Sequence, residues 1–293
     1  MPMGNASTHQ GNQAVPHIAD YWSSHAVLRK LGSGRFGRVF LVQSGSSKRP
    51  RALKQFRNGS ADVLREVAAL QALQAQADAQ LGLPRVHRVA HVPSADHRDE
   101  LLLSAELEYA EGDDLFTLIG SLSDRDVLDV FRGTLGALRR LHAARLVHRD
   151  VKLENVVWDA ARRSAVLIDV GFLCREPDAA PCWARLPPCS EAALRGTLAY
   201  APPETLARPS CASDVWALGV LLLELLIGAA LDADEVEPLV DAVHAGGLGE
   251  LLGARAAWQP LLQRMLCADP ARRATAADLE AQLDLFTETA QRR

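Results

Sequence analysis

Apolar positions recur along the chain with two periods, and the change from one to the other falls near residue 108. Between residues 26 and 56 short apolar runs alternate with turn residues: 26–31, 38–42, the turn 44–50, then 52–56. Runs of this length, bounded by Gly, Ser and Pro, predict strands, here a β-meander. Over 62–76 the spacing of Val63, Val67, Leu70 and Leu73 switches to the helical period and predicts one helix, with Asp62 near its start. Two further strands are predicted around 85–91 and 101–107. Beyond the acidic stretch 108–114, long apolar segments at helical spacing follow: 127–141, 215–226, 261–266 and 276–286.

These periods predict an α+β, bilobal chain with a small, mostly β N-lobe (21–107) carrying one main helix. A connector (108–112) and a larger, mostly α C-lobe (113–287) follow. Residues 1–20, rich in Gly, Asn, Ser, His and Gln without periodicity, read as an arm that does not pack, and 288–293 as a tail. No internal repeat is evident.

Composition narrows the picture. The chain has 293 residues, 48% hydrophobic and 23% charged, as befits a soluble globular protein with one large domain or two joined lobes. A net charge of -4 gives no basic face for nucleic acid, so phosphate chemistry must come from local groups. Five cysteines without a C-x-x-C pair suggest neither a disulfide framework nor a zinc site, and hence a reduced, intracellular location, cytoplasmic with access to the nucleus. The longest apolar run, 220–227, contains Glu224 and is far shorter than a membrane span. Gly4 fits a myristoylation pattern only if processing exposes it, and Met1-Pro2 blocks that as written, so membrane association is not expected.

The first candidate chemistry is the run Gly32-Ser33-Gly34-Arg35-Phe36-Gly37. Dinucleotide-binding folds share this G-x-G-x-x-G spacing, but there it opens a helix, whereas here a strand pattern follows, so the glycines sit in a hairpin. They let backbone N–H groups lie close over phosphate oxygens, or simply make a flexible tip. Lys54, in Ala52-Leu53-Lys54, lies on the next strand but one, and Glu66 on the helix beyond it. At this point the sequence resembles the protein kinases, whose lysine contacts phosphates and pairs with a helical glutamate.

The strongest part of the resemblance is His148-Arg149-Asp150-Val151-Lys152-Leu153-Glu154-Asn155, which is similar to the kinase catalytic loop. It implies that Asp150 accepts the proton of the incoming hydroxyl and that Lys152 neutralises charge on the transferring phosphoryl group. Asn155 and Asp169, the latter in Asp169-Val170-Gly171, would hold Mg2+. The segment from Gly196 to Glu204, the run Asp214-Val215-Trp216-Ala217-Leu218-Gly219 and the run Asp269-Pro270-Ala271-Arg272-Arg273 resemble the remaining kinase motifs, over a span of about 21–286. A buried Glu204–Arg273 ion pair is implied.

The resemblance further implies ATP and Mg2+ as cofactors. Gly32, Gly34, Gly37, Val39, Ala52, Lys54, Glu108, Ala110, Asp114 and Val157 would surround the nucleotide, with connector backbone at 108–110 bonding adenine and Leu107 behind it. Lys152 with Thr197 matches the serine/threonine group. Asp114, Glu154 and Glu224 match positions at which cyclic-AMP-dependent and Pim-type kinases contact arginine, so the implied partners are proteins bearing Ser or Thr near basic residues. The alternative is a pseudokinase scaffold, against which stands the presence of Lys54, Glu66, Asp150, Asn155 and Asp169 together. One departure is Val170, where the family has an aromatic residue beneath the glutamate-bearing helix; either a bulkier neighbour fills the site or the helix is less firmly locked. Between 173 and 195 Ser190 is the one Ser or Thr, which predicts activity without loop phosphorylation, with Glu191 or Glu176 supplying negative charge to Arg149. Oligomeric state is not legible.

Overall fold

The structure is a computed structural model and describes residues 15–34, 36–57, 59–76, 81–189, 197–204 and 209–291. A short helix α1 (Tyr21–Ser24) leads into the meander β1 (His25–Ser33), β2 (Gly37–Ser44) and β3 (Arg51–Phe56). Helix α2 (Ala61–Ala75) follows, then β4 (Val86–Pro93) and β5 (Leu101–Glu108). The strands pair antiparallel in the order β1-β2-β3-β5-β4. Helix α2 begins where the Ser60 side chain accepts the Val63 N–H at 3.4 Å. It turns Val63, Val67, Leu70, Leu73 and also Glu66 inward.

Strand register fixes what faces the space between the lobes. Val39 pairs with Lys54, and Ala52 with Leu107. Directly opposed residues share a sheet face, as do residues two apart on one strand, so Val39, Ala52 and Lys54 lie on one face. The chain leaves β5 through Gly112, whose φ of +113° suits glycine. A Cβ there would lie 2.0 Å from the Trp158 carbonyl oxygen.

The second lobe opens with β6 (Asp113–Asp114) and α3 (Leu115–Leu118) and is then organised by α4 (Asp124–Ala143). A Ser123/Asp126 capping box starts α4, and Arg140 and His142 favour its C-terminal end. β7 (Leu146–Val147), β8 (Val156–Asp159), β9 (Ser164–Leu167) and β10 (Cys174–Arg175) make two small sheets, β6-β8-β9 and β10-β7. Helices α5 (Cys211–Ile227), α6 (Ala233–Ala245), α7 (Leu248–Leu252), α8 (Gln259–Met265) and α9 (Ala276–Gln291) complete the lobe. Every residue of α5 from Asp214 to Leu226 is buried, so its apolar run has no polar face. Two lobes, one mostly β and one mostly α, agree with the predicted α+β class.

Two expectations are corrected, and one helix is added to those predicted. Residues 15–20 do pack: the Ile18 N–H donates to the His91 carbonyl at 2.9 Å and the His91 N–H to the Pro16 carbonyl at 2.8 Å. The reason is that β4 is an edge strand whose unpaired groups accept another segment. Cys174 and Cys189 are joined in a disulfide, with Cα atoms 5.2 Å apart. A cysteine count could not reveal it, because the pairing is made by the fold, which brings Pro188 beside Arg175. Finally, α6 has Pro238 in its interior, which hid the helix from the sequence pattern.

Candidate active site

A cavity of about 450 Å³ opens between the lobes, with Glu66, Asp150, Lys152, Asn155, Asp169 and Thr197 on its walls. The β3 register delivers Lys54 from above, where its ammonium forms an ion pair with Glu66 and lies 3.3 Å from the Asp169 carboxylate. Burial works to lower the Lys54 pKa, but the charges of Asp169 and Glu66 override it and hold the ammonium charged. Burial pushes the Glu66 carboxyl upward against the pull of Lys54. Desolvation within the cleft works to raise the Asp169 carboxyl, yet Lys54 and the Gly171 N–H, which donates to it at 3.0 Å, keep it below the usual range.

Gly171 lies close against both carboxylates. A Cβ there would lie 3.1 Å from the Asp169 carboxylate and 3.4 Å from that of Glu66. The preceding Val170 is buried in the main core, and the Lys54–Glu66 pair is formed above it. The aromatic residue of the motif is therefore not required for α2 to sit in the paired position. Asp169 itself has φ +62°, a left-handed conformation that costs a non-glycine residue about 1–2 kcal/mol and is held by the bonds just named.

Lys152, Asn155 and Thr197 meet around Asp150. The Asn155 amide donates to the Asp150 carbonyl at 2.8 Å and to its carboxylate at 2.7 Å, and the Lys152 ammonium stands 3.6 Å from that carboxylate. Lys152 also donates to the Thr197 hydroxyl at 3.3 Å. Burial raises the Asp150 pKa, opposed by Lys152 and Asn155. A carboxylate so poised accepts a proton more readily than a solvated one.

Asp214, at the start of α5, anchors this loop from below. Its carboxylate accepts the His148 N–H at 2.8 Å, the Arg149 N–H at 2.7 Å and the His142 ring at 3.0 Å. Arg149 is left-handed, with φ +72°. Its guanidinium donates to the Phe172 carbonyl at 3.2 Å. Glu176 is instead taken by Arg145 at 3.2 Å, so the expectation that it serves Arg149 is corrected; Glu191, Ser190 and Gly196 lie outside the described residues. The implied Glu204–Arg273 pair is present and bidentate, at 2.7 and 2.8 Å.

The nucleotide-side candidates are less gathered. Gly37 packs so closely on β3 that a Cβ would lie 2.2 Å from the Gln55 carbonyl oxygen, while Gly32 and Gly34 face open space. Arg57 ties the hairpin down through the Ser33 hydroxyl at 3.0 Å. Val157 pairs with Asp114, and Asp114 caps α3 by accepting the Thr117 N–H at 2.8 Å. Glu108 and Ala110 border a different cavity, of about 870 Å³, behind the connector.

Among the acids implied for arginine recognition, Glu154 is exposed, whereas Glu224 is buried and accepts the Tyr200 hydroxyl at 2.6 Å and the Leu231 N–H at 3.0 Å. The apolar surroundings of Glu224 on α5 were the sequence signal for that burial. Burial pushes its carboxyl up to about 7, with the Glu154 charge adding to the rise and the Tyr200 and Leu231 bonds opposing it.

A protein kinase domain model matches residues 25–283. An Aurora kinase of Dictyostelium discoideum is 26% identical over 280 residues, covering 91% of this chain and 67% of that protein. Ribosomal protein S6 kinase alpha-4 of Mus musculus is 30% identical over 278 residues (88% of this chain, 34% of that protein). Sucrose non-fermenting protein kinase 1 of Fusarium virguliforme is 30% identical over 292 residues (90% and 37%). The chain thus spans about a third of the length of the latter two relatives. With the match running through both lobes and the cavity between them, the chain belongs to the protein kinase family, as a domain of the serine/threonine kind.

Proposed function

We propose that this chain transfers the γ-phosphoryl group of ATP to serine or threonine hydroxyls of proteins, that it prefers arginine-containing sequences, and that it needs no phosphate in its own activation segment. The observation that carries the reading is the convergence on one cavity of Glu66 from the first lobe with Asp150, Lys152, Asn155 and Asp169 from the second, joined by Lys54, which pairs with both Glu66 and Asp169 across the lobes. In this reading Asp150 orients the incoming hydroxyl and takes its proton, and Lys152, steadied by Thr197, faces the charge that develops on the transferring group. Lys54, held by Glu66, binds phosphate oxygens beneath the glycine hairpin.

Asp169 and Asn155 fit a hard divalent cation, since one is held ionised and the other spends its N–H on Asp150 and not its amide oxygen. When bound, Mg2+ supplies charge neutralisation to the phosphates.

The Glu154 charge adds to the cost of ionising Glu224, and a guanidinium placed beside Glu224 relieves it, which supports the arginine preference. The assembled Lys54–Glu66 and Lys152–Thr197 contacts support activity without phosphorylation. Transfer of γ-labelled phosphate to an arranged Ser/Thr peptide library, with and without Mg2+ and after phosphatase treatment, tests all three parts. Nucleotide binding without transfer to any peptide would establish the scaffold reading instead.

A further inference from the structure

Residues 170–189 run on from Asp169, which lines the cavity, and the sequence offers one Ser or Thr between 173 and 195 through which a phosphate could order this segment. It carries a different fastener. Cys174 follows Asp169 by five residues and sits on β10, whose partner β7 ends at Val147, next to His148 of the catalytic loop. Cys189 stands eight residues before Thr197, which meets Lys152. Their bond closes the segment across 15 positions and packs both sulfurs against Val147. Around it Trp183 and Leu186 are buried, and Arg175 bonds the Pro187 and Leu186 carbonyls at 3.0 and 3.1 Å.

We propose that Cys174 and Cys189 are a reversible oxidation site, and that closing this bond holds the segment in the arrangement that supports phosphoryl transfer. The inference rests on the kinase reading above. In the disulfide-bonded structure the Lys54–Glu66, Lys54–Asp169 and Lys152–Thr197 contacts are all made, so the oxidised form is the assembled one. Cross-linking narrows the conformations available to residues 174–189 in favour of the bonded arrangement.

A low-molecular-weight disulfide is the matching oxidant. The Cys189 thiolate, slightly the more exposed of the two, attacks it, forming a mixed disulfide and releasing one small thiolate. The Cys174 thiolate then attacks the Cys189 sulfur and expels the second. Two protein thiols are oxidised, one small disulfide is reduced to two thiols, and the two protons pass to those thiols. Cys211 packs against the pair, but burial, with Glu176 and Asp214 nearby, pushes its thiol well up, so it is a poor competitor for exchange.

The test uses the full chain, reduced with a phosphine and reoxidised with glutathione disulfide. Trypsin places Cys174, Cys182 and Cys189 in separate peptides, because Arg163, Arg175, Arg185 and Arg195 flank them. We expect a linked 164–175/186–195 pair in the oxidised protein, a roughly tenfold lower kcat/KM after reduction, and recovery on reoxidation. Cys189→Ser and Cys174→Ala should both remain at the reduced level and lose the redox response, whereas Cys182→Ser should keep it. Native cleavage after Arg185 should quicken on reduction, a readout independent of transfer. The absence of the linked pair, equal activity in both states, higher activity when reduced, or unchanged cleavage would overturn the proposal. Absence of transfer in every state, with the linked pair and the protection intact, would sink the kinase reading while leaving the oxidation site in place.

Discussion

Replacing Asp214 by asparagine should disable catalysis from outside the cavity. Its two carboxylate oxygens serve three donors: one takes the Arg149 N–H, and the other takes the His148 N–H together with the His142 ring. An amide has one oxygen. Whichever way it is turned, its NH2 faces a backbone N–H of His148 or of Arg149, so one buried donor loses its partner. Losing a bond to a charged acceptor is worth about 1.5–3 kcal/mol, and an unsatisfied buried N–H costs about 1–3 kcal/mol. Arg149 stores further strain at φ +72°, which the loop must then hold with one backbone bond to this side chain fewer. Taking about 3 kcal/mol as the net loss, the population of the formed loop falls by up to about 100-fold at about 1.4 kcal/mol per decade. Steady-state kinetics should show kcat reduced toward that limit. Nucleotide affinity should stay within about twofold, because Asp214 does not line the cavity. Unchanged kcat in a variant whose urea stability has dropped would refute the idea that Asp214 acts by positioning the catalytic loop.

Other perturbations separate the remaining parts. Arg273→Met leaves Glu204 unpaired and removes bonds to the Cys267 and Ala212 carbonyls, and should cost about 3–5 kcal/mol in urea unfolding; adding Glu204→Gln should cost less than the sum. Gly37→Ala drives a methyl into the Gln55 carbonyl and should weaken nucleotide binding by displacing the hairpin, read as a higher ATP KM. Glu224 titrates near 7 in the folded chain, above its ordinary 4.5, so it is protonated below that pH and stability falls as pH rises from about 4.5 to 7. An arginine substrate needs the ionised form, so its KM should fall as pH rises through about 7, and Glu224→Gln should flatten that profile; an unchanged profile in the variant would assign the dependence elsewhere.

Much of this site was legible because kinase chemistry is written in contiguous runs. The run from His148 to Asn155 supplies its own loop, and Lys54 and Glu66 needed only the strand and helix periods to be placed near each other. What the periods could not carry was contact between segments far apart in sequence. The Cys174–Cys189 bond depends on the chain returning to β10, and the packing of residues 15–20 on an edge strand that no local pattern announces. Glu224 was matched to an arginine-contacting position, and it stands buried in a helix apolar on every face. Glu108 and Ala110 were placed by the motif, which did not announce the second cavity they border.

The central claim is that Asp150 acts on the reacting hydroxyl and not on nucleotide binding. Single-turnover transfer from γ-labelled ATP to a serine peptide, measured beside nucleotide Kd for wild type and Asp150→Asn, tests it most directly. We predict an unchanged Kd, within about twofold, and transfer slowed about 100- to 10,000-fold, the range a positioned general base supplies. Near-normal transfer by the variant, or a loss confined to Kd, would contradict it.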